Sequence, residues 1–427
     1  MSNMSTTYSY LQFVSYASIR NWSVQYMKGD STLSSAFPIK LLGDFINEEN
    51  GKYNISDPSK DYGILGVNNQ TGIFDAYTEN GAKIKQKYKK MEEGWIAYNP
   101  YRVNVGSVGV KRQNHRNEYI SPAYVVFSCK SGLLPDFLYL MMRTPTFNNI
   151  IKRNTTGSVR QSLSYKNLSA LRVPMPSIDE QRKLINSYFE LVRKATLLLA
   201  SVTNIEKDEA LYVAERLGSE YSIEKDVEDI GAYRYLQFFH SRNIHRWDVW
   251  NINWTKRISH YKEVPLNKII TLQSGQFLPN KKQLGGEFIV YGGNGETGRH
   301  NEYCYSGKRI IIGRVGEYCG NVHLIDGKYW ITDNAFKVDK VSDEVSWEFL
   351  SIALKSSKLN NYRSISAQPS ISQGRILKLS IPVPPKEIQE EIVAYTKGKR
   401  EQITNLRAEA QRLRQQALEE FEKELFK

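Results

Sequence analysis

The tripeptide Asn99-Pro100-Tyr101 sets an amide, a proline and a phenol side by side. Amino-methyltransferases grip an exocyclic amine with similar residues, in an Asn/Asp-Pro-Pro-Tyr/Phe motif. Here the second proline is missing, and no glycine-rich strand-to-helix turn lies upstream to hold S-adenosylmethionine. The string therefore reads against methyl transfer. Gly292-Gly-Asn-Gly-Glu-Thr-Gly298 has the glycine density of a phosphate-cradling loop, but no helix pattern follows it, so a dinucleotide fingerprint fails on context. No GxxxxGK[ST] string points to ATP hydrolysis. The six histidines, His115, His240, His245, His260, His300 and His323, show no metal-ligand spacing. No persuasive paired-carboxylate nuclease motif stands out. The chemistry left to the chain is binding.

The formal net charge of +13 favours a polyanion partner, because basic side chains neutralise phosphates and release counterions. Base edges are read by Arg, Lys, Asn and Gln, and phosphates by basic and hydroxyl side chains. The cluster Lys111-Arg112-Gln113-Asn114-His115-Arg116 mixes charge with amides. It is the preferred contact loop of the first half, with Lys111, Arg112, Asn114 and Arg116 as candidates, ahead of the run Lys83, Lys85, Lys87, Lys89 and Lys90. In the second half the candidates are Arg299, Asn301 and Arg314, the last between Gly313 and Val315. Arg160, Gln161 and Gln368 flank two matched stretches described next. A solvated surface loop remains the bland reading of any charge run, and an internal ion pair that of Arg314.

These residues sit in a duplicated frame. Tyr10-Leu-Gln-Phe13 matches Tyr235-Leu-Gln-Phe238, and Ile19, Trp22 and Val24 match Ile244, Trp247 and Val249 at the same spacing. Gly66, Asn68 and Thr71-Gly72 match Gly292, Asn294 and Thr297-Gly298, and both Thr-Gly pairs read as turns. Ser162-Leu-Ser164 matches Ser370-Ile-Ser372, and Val173-Pro174, Pro176 and Gln181 match Ile381-Pro382, Pro384 and Gln389. The spacing between copies falls by about 18 residues before this last stretch, so the first copy carries extra chain in its middle. Each copy has short β-rich runs, such as those ending at Phe127 and Ile312. The Val-Pro-Met-Pro and Ile-Pro-Val-Pro strings then break the pattern.

A long helix closes each copy. Ser177 and Glu180 form a capping box. Leu184, Tyr188, Leu191, Ala195, Leu198, Val202 and Ile205 then alternate spacings of four and three, which is a heptad seam. Gly218 is the expected stop. The second helix starts near Lys386, and its seam runs through Ile403, Leu406, Ala410, Leu413, Ala417 and Phe421. The simplest partner of each stripe is the other, giving an antiparallel pair about 50–60 Å long for roughly 35–40 residues. An oligomerising coiled coil is the other reading of the stripe.

The fold class expected is α+β: two β-rich modules separated by two long antiparallel helices, a tandem repeat with pseudo-twofold symmetry. The three cysteines fit no disulfide framework or zinc site, which suits a reducing cytoplasm. The N-terminus does not read as a secretory signal, and no apolar run suggests a membrane span.

The order module–helix–module–helix resembles the specificity subunit of Type I restriction–modification systems. The resemblance covers about Pro38 to Lys427. It is carried by Tyr98-Asn-Pro-Tyr-Arg-Val-Asn-Val-Gly-Ser107, Ser121-Pro-Ala-Tyr-Val-Val-Phe127, Tyr291-Gly-Gly-Asn-Gly-Glu-Thr-Gly298, Ile310-Ile-Ile-Gly-Arg-Val-Gly316, Ile331-Thr-Asp-Asn-Ala335 and the two Pro-x-Pro…Glu-Gln helix starts. It implies a first target recognition domain (38–176), whereas the aromatic segment ahead of it (1–37), like its counterpart before the second domain, departs from the family pattern, in which many members begin closer to the module. A central helix (177–218), a linker with the second aromatic segment (219–262), a second recognition domain (263–384) and a C-terminal helix (385–427) follow. It further implies a non-catalytic subunit that reads an asymmetric, bipartite site on double-stranded DNA and docks two DNA methyltransferase subunits. A restriction/translocase subunit can join. S-adenosylmethionine, ATP and magnesium belong to those partners, and this chain needs no cofactor. Three other readings stay open on the sequence. They are a specificity protein of another DNA-modification or phage-defence system, a self-sufficient methyltransferase or nuclease, and a coiled-coil scaffold with no role on DNA.

Overall fold

A computed structural model of the chain describes residues 34–154, 162–218, 259–283, 285–364 and 368–426. The two aromatic segments around Trp22 and Trp247 lie outside the described residues, as do the candidates Arg160 and Gln161. The chain forms two compact units, Met1–Leu198 with Ala408–Lys427, and Leu199–Arg407.

The first unit contains β1 (Ile39–Leu41), β2 (Ile46–Glu48), β3 (Lys52–Tyr53), β4 (Asp61–Asn68), β5 (Gly72–Asn80) and β6 (Tyr88–Lys90). It continues with β7 (Ile96–Tyr98), β8 (Val108–Val110), β9 (Tyr119–Ile120), β10 (Val125–Cys129), α1 (Pro135–Arg143), α2 (Pro145–Asn154), α3 (Tyr165–Ser169), β11 (Arg172–Pro174) and the start of α4 (Ile178–Leu217). One sheet has the order β2-β10-β7-β8, a second β3-β6-β9-β4-β5, and β1 pairs with β11. Strand β7 reads Ile-Ala-Tyr and is buried on both faces, as a central strand should be. Helix α1 opens with proline at its first turn and buries Phe137, Leu138, Leu140, Met141 and Met142. Thr144 stops it and starts the next helix: its hydroxyl donates to the Met141 carbonyl at 2.8 Å and accepts from the Phe147 amide at 3.2 Å.

The second unit repeats this plan. Its strands are β12 (Glu263–Pro265), β13 (Ile270–Ser274), β14 (Phe288–Gly292), β15 (Gly295–His300), β16 (Tyr305–Ser306), β17 (Arg309–Gly313), β18 (Val322–Ile325), β19 (Lys328–Ile331), β20 (Ala335–Val341) and β21 (Ser380–Pro382). Its helices are α5 (Leu266–Ile269), α6 (Trp347–Ser356), α7 (Gln373–Leu377) and the first half of α8 (Lys386–Leu425). The sheet β13-β20-β17-β18 corresponds to β2-β10-β7-β8, and β15-β14-β19-β16 to the larger sheet of the first unit. Even the parallel pairing is shared, β4 with β9 and β14 with β19, although all other ladders among the described residues are antiparallel.

One sequence expectation needs correction. Thr297-Gly298 is not a turn, because Gly298 pairs with Val290 inside the β14–β15 ladder. The reversal comes earlier, at Gly295 with φ +95°, whereas in the first unit Gly72 with φ +76° closes it. The second hairpin has the shorter loop, which draws the Thr-Gly pair into the strand. The Val-Pro and Ile-Pro strings end their strands as expected, the last strand of each unit stopping at Pro174 or Pro382 ahead of a long helix. Pro174 faces Ile39 and Pro382 faces Glu263 at the ends of two-stranded ladders, where proline's missing N–H costs little.

Both long helices have 40 residues, and each contributes to both units. The capping box is present: the Ser177 amide donates to Glu180 Oε2 at 2.8 Å and the Glu180 amide to Ser177 Oγ at 3.4 Å. Gly218, with φ +67°, follows the last turn. In the first unit Leu184 shares the main core with Phe421 and Leu425, and Tyr188 packs against that core. Ala195, Ala410 and Ala417 are buried there, while Leu191, Leu198 and Leu413 are half-buried. In the second unit Val202, Ile205 and Ile403 form a cluster with Leu406 against it. Ion pairs flank that cluster in antiparallel register, Arg407 with Glu206 at 2.7 Å and Arg400 with Glu209 at 3.3 Å. Each fully buried Leu, Ile or Phe of this kind stabilises by roughly 1.5–3 kcal/mol relative to exposure. The seam, not exposed charge, therefore holds the helices. No helix among the described residues is long and apolar enough to cross a membrane.

Candidate nucleic-acid interface

In each unit several loops meet at one end of a four-stranded sheet, β2-β10-β7-β8 or β13-β20-β17-β18, and matching backbone hydrogen bonds tie them together. In the second unit the β17–β18 loop is closed by the Gly313 amide donating to the Asn321 carbonyl at 2.8 Å. The Ile371 amide, from the matched Ser-Ile-Ser stretch, donates to the Arg314 carbonyl at 2.9 Å. The β19–β20 turn is closed by the Ala335 amide on the Thr332 carbonyl at 3.1 Å, and the chain leaving β13 joins through the Gly275 amide on the Ala335 carbonyl at 3.0 Å. The β14–β15 tip docks beside them, with Asn321 Nδ2 donating to Asn294 Oδ1 at 2.9 Å.

The first unit uses matching bonds. The Asn99 amide donates to the Ser107 carbonyl at 3.0 Å, Leu163 to Pro100 at 3.0 Å, Tyr124 to Ser121 at 3.1 Å and Glu49 to Val126 at 2.9 Å. The β4–β5 tip is shaped by Asn68, whose Oδ1 accepts the Gln70 and Thr71 amides at 2.9 and 2.7 Å. Tyr98 fastens the cluster from below: its buried hydroxyl donates to the Leu163 carbonyl at 3.1 Å, and burial raises its pKa. The loops are packed too tightly for side chains at key glycines. A Cβ on Gly313 would lie 2.3 Å from the Gly293 carbonyl oxygen, and one on Gly109 would lie 2.3 Å from the Ile73 amide nitrogen. Two rigid loop surfaces of the same backbone plan thus display different side chains.

The structure separates the residues chosen from sequence. Arg314 and Gln368 come together at the second cluster, where the Gly316 amide donates to the Pro369 carbonyl at 2.8 Å and Val315 bridges Ser370. Arg314 is exposed and lies 5.5 Å over the Phe336 ring, so the expected alternative of an internal carboxylate pair does not occur among the described residues. Arg299 and Asn301 are exposed but lie at the far end of the β14–β15 hairpin, and Arg299 Nη1 donates to the Glu287 carbonyl at 3.1 Å.

The basic loop of the first unit is a correction. It follows β8 and so emerges at the opposite end of the β7–β8 pair from the 99–107 loop. Lys111 is only 8% exposed, and its Nζ donates to the Met91 carbonyl at 2.8 Å. Burial pushes its pKa down. Arg112 forms a two-pronged ion pair with Asp136, with Nη1 at 2.9 Å from Oδ2, and that hydrogen bond raises the arginine's pKa. These two cations serve the fold. Asn114 and Arg116 are exposed, with the Arg116 amide held by Asp75 Oδ2 at 3.1 Å. The alternative lysine run is divided: Lys89 is buried and donates to the Tyr124 carbonyl at 3.0 Å and Lys90 pairs with Glu118, whereas Lys83, Lys85 and Lys87 are exposed.

A reading based on charge passed over exposed aromatics around the clusters. Tyr101 is 58% exposed, Tyr318 51% and Phe277 73%. Their signal lies in the flanking turn chemistry: Asn99 Oδ1 accepts the Tyr101 amide at 3.0 Å, and Gly275 precedes Phe277 by two residues. Among the described residues, no group of three histidines, cysteines or carboxylates is arranged to hold a metal ion.

Comparison with known proteins agrees with this architecture. The family model for the Type I restriction modification DNA specificity domain matches residues 37–204 and again 258–415. The specificity subunit of the type I restriction enzyme EcoprrI from Escherichia coli is 31% identical over 159 residues, covering 36% of this chain and 39% of that protein. A type I specificity subunit from Mycoplasma pneumoniae is 25% identical over 150 residues, 34% of this chain and 41% of its own length. The matches thus span about two-fifths of each relative. A solved structure from work on complex assembly and conformational transition of the type I R-M system covers 91% of this chain and 98% of its own, with a TM-score of 0.52 at 16% identity. That likeness speaks to the fold. With one specificity domain matched in each half and each half folded on the same plan, the chain belongs to the Type I restriction–modification DNA specificity family.

Proposed function

We propose that the chain is the sequence-reading subunit of a Type I restriction–modification complex. Each unit presents its loop cluster to double-stranded DNA, and each reads one half of an asymmetric, bipartite target. The observation that carries this reading is the pair of loop clusters: one backbone scaffold, two different sets of side chains. A single reader repeated without change would recognise a symmetric site, whereas unlike surfaces suit unlike half-sites. Arg314 and Gln368 are the base-edge candidates of the second unit, and the loop carrying Tyr101 and Arg102 replaces Lys111–Arg112 as the surface proposed for the first.

The outer faces of α4 and α8 serve two DNA methyltransferase subunits, and a restriction/translocase subunit joins the complex in the cytoplasm. Chemistry belongs to those partners, which hold S-adenosylmethionine, ATP and magnesium. This chain brings no catalytic group or cofactor of its own. The exposed Phe189, Leu197 and Leu211 of α4 support a partner on that helix.

A domain exchange tests the reading. Replacing residues 38–160 with those of another specificity subunit, followed by methylome sequencing with the cognate methyltransferase, should change one half-site and leave the other. A change in both halves would mean the units do not read independently. Transfer of methyl groups to DNA by the purified chain alone would overturn the non-catalytic assignment.

A further inference from the structure

The second unit has a polar recess on the far side of its β17–β18 loop. Gly320, Asn321 and Val322 form one wall, and Lys355, Lys358, Asn360 and Asn361 form the other. Two ammonium groups and three carboxamides line it, with no carboxylate. The side chains of Lys358, Asn360 and Asn361 make no hydrogen bond or ion pair among the described residues, so their donors face the recess or solvent. Lys358 is the one non-glycine residue with positive φ there, at 45°. That conformation is strained for a long side chain and persists only where the surroundings enforce it. The Asn361 amide closes the turn on the Lys358 carbonyl at 2.9 Å. Opposite, Gly320 has φ +92°, and a Cβ there would lie 2.4 Å from the Asn360 amide nitrogen. The two walls are therefore locked together by backbone contact.

Cationic and amide donors without carboxylates select an anion with several acceptor oxygens. The recess is partly open to solvent, which suits a group embedded in a chain. It also shares the Gly313–Asn321 loop with Arg314. We propose that this recess binds a phosphodiester of the DNA backbone and so sets the register in which Arg314 meets a base edge. The inference rests on the reading of the second unit as a DNA reader. A phosphate contact of this kind fixes position without carrying sequence information.

The test uses the full chain with its methyltransferase partner and the double variant Lys355→Gln, Lys358→Asn, since asparagine tolerates the left-handed backbone. Affinity is measured for a target duplex and an unrelated duplex across a salt series. The expected result is a loss of roughly 10-fold on both duplexes and a salt slope shallower by about 1–2, with the ratio between duplexes unchanged. Lys358→Arg should restore much of the slope. An unchanged affinity and slope would overturn the phosphate site while leaving the DNA-reader reading intact. A changed ratio between duplexes would also overturn it, by making these lysines base readers. Binding of free ATP that the double variant abolishes, with DNA affinity unaffected, would assign the recess to a free nucleotide instead. Absence of duplex binding by the unmodified complex at every salt concentration would remove both readings.

Discussion

Gln181 in the first unit and Gln389 in the second make the same three hydrogen bonds. Gln181 Oε1 accepts the Leu134 amide at 2.8 Å, and its Nε2 donates to the Gly132 and Pro176 carbonyls at 2.9 and 3.0 Å. Gln389 Oε1 accepts the Ser346 amide at 3.1 Å, and its Nε2 donates to the Glu344 and Pro384 carbonyls at 2.8 and 3.0 Å. Both side chains are buried. Each ties the first turn of a long helix to the loop leading into a core helix, α1 or α6.

Gln181→Leu should therefore weaken the first unit by roughly 2–4 kcal/mol, since an amide and two carbonyls lose their partner in a buried site. Gln389→Leu should do the same to the second. Hydrogen exchange read by mass spectrometry is the check, with protection falling in 134–147 for one variant and 346–356 for the other. Equal loss in both units from either variant would contradict the separate folding of the two cores.

Lys111→Met should leave DNA affinity within about two-fold of the unmodified chain, because the ammonium points inward. Arg314→Ala should relax discrimination at one base pair of one half-site, by about 1–3 kcal/mol for a lost bidentate contact. Competition binding against a panel of single-base-pair substituted duplexes separates the two outcomes.

Gly313→Ala should abolish tight binding without unfolding the chain. Its new methyl group collides with the Gly293 carbonyl, so the hairpin tip and the Arg314 loop cannot keep their contact. Unchanged far-UV circular dichroism, with affinity down at least about 10-fold, is the expected pair of measurements. Retained affinity would show that the cluster adapts.

Acid should loosen the helix pair of the second unit at a defined place. The Tyr212 hydroxyl donates to Glu391 at 2.7 Å and Arg216 pairs with the same carboxylate. These bonds hold the Glu391 pKa below its ordinary 4.5. A carboxylate lowered in the folded state contributes stability that is present above pH 4.5 and lost as pH falls through the folded value. Exchange protection of residues 206–217 should decline over that range, and Glu391→Gln should remove this acid dependence.

The long helices were legible because heptad spacing and a capping box are local patterns. Leu184, Val202, Ile403 and Phe421 announce a buried stripe without knowledge of anything beyond the helix. The loop cluster was legible in part. Arg314 and Gln368 stand beside glycine and a repeated Ser-Ile-Ser, and those marks point to a shaped loop. The dense cluster at Lys111 and Arg112 misled because its partners are remote. Met91 and Asp136 are 20 and 24 residues away, and only folding brings them to the two cations. The Thr297-Gly298 pair misled for a related reason: a hairpin whose loop is one residue shorter moves its reversal upstream and turns a would-be bend into ladder.

The first unit is built from both ends of the chain, with Phe421 and Leu425 buried in the same core as residues from 42 to 184. During synthesis the second unit emerges as one continuous stretch and can fold at once. The first must wait through more than two hundred further codons, about 10–45 s at ordinary elongation rates, before its last apolar residues leave the ribosome. A nonsense or frameshift mutation that removes residues from 408 onward would accordingly injure the reader built mainly from residues before 198.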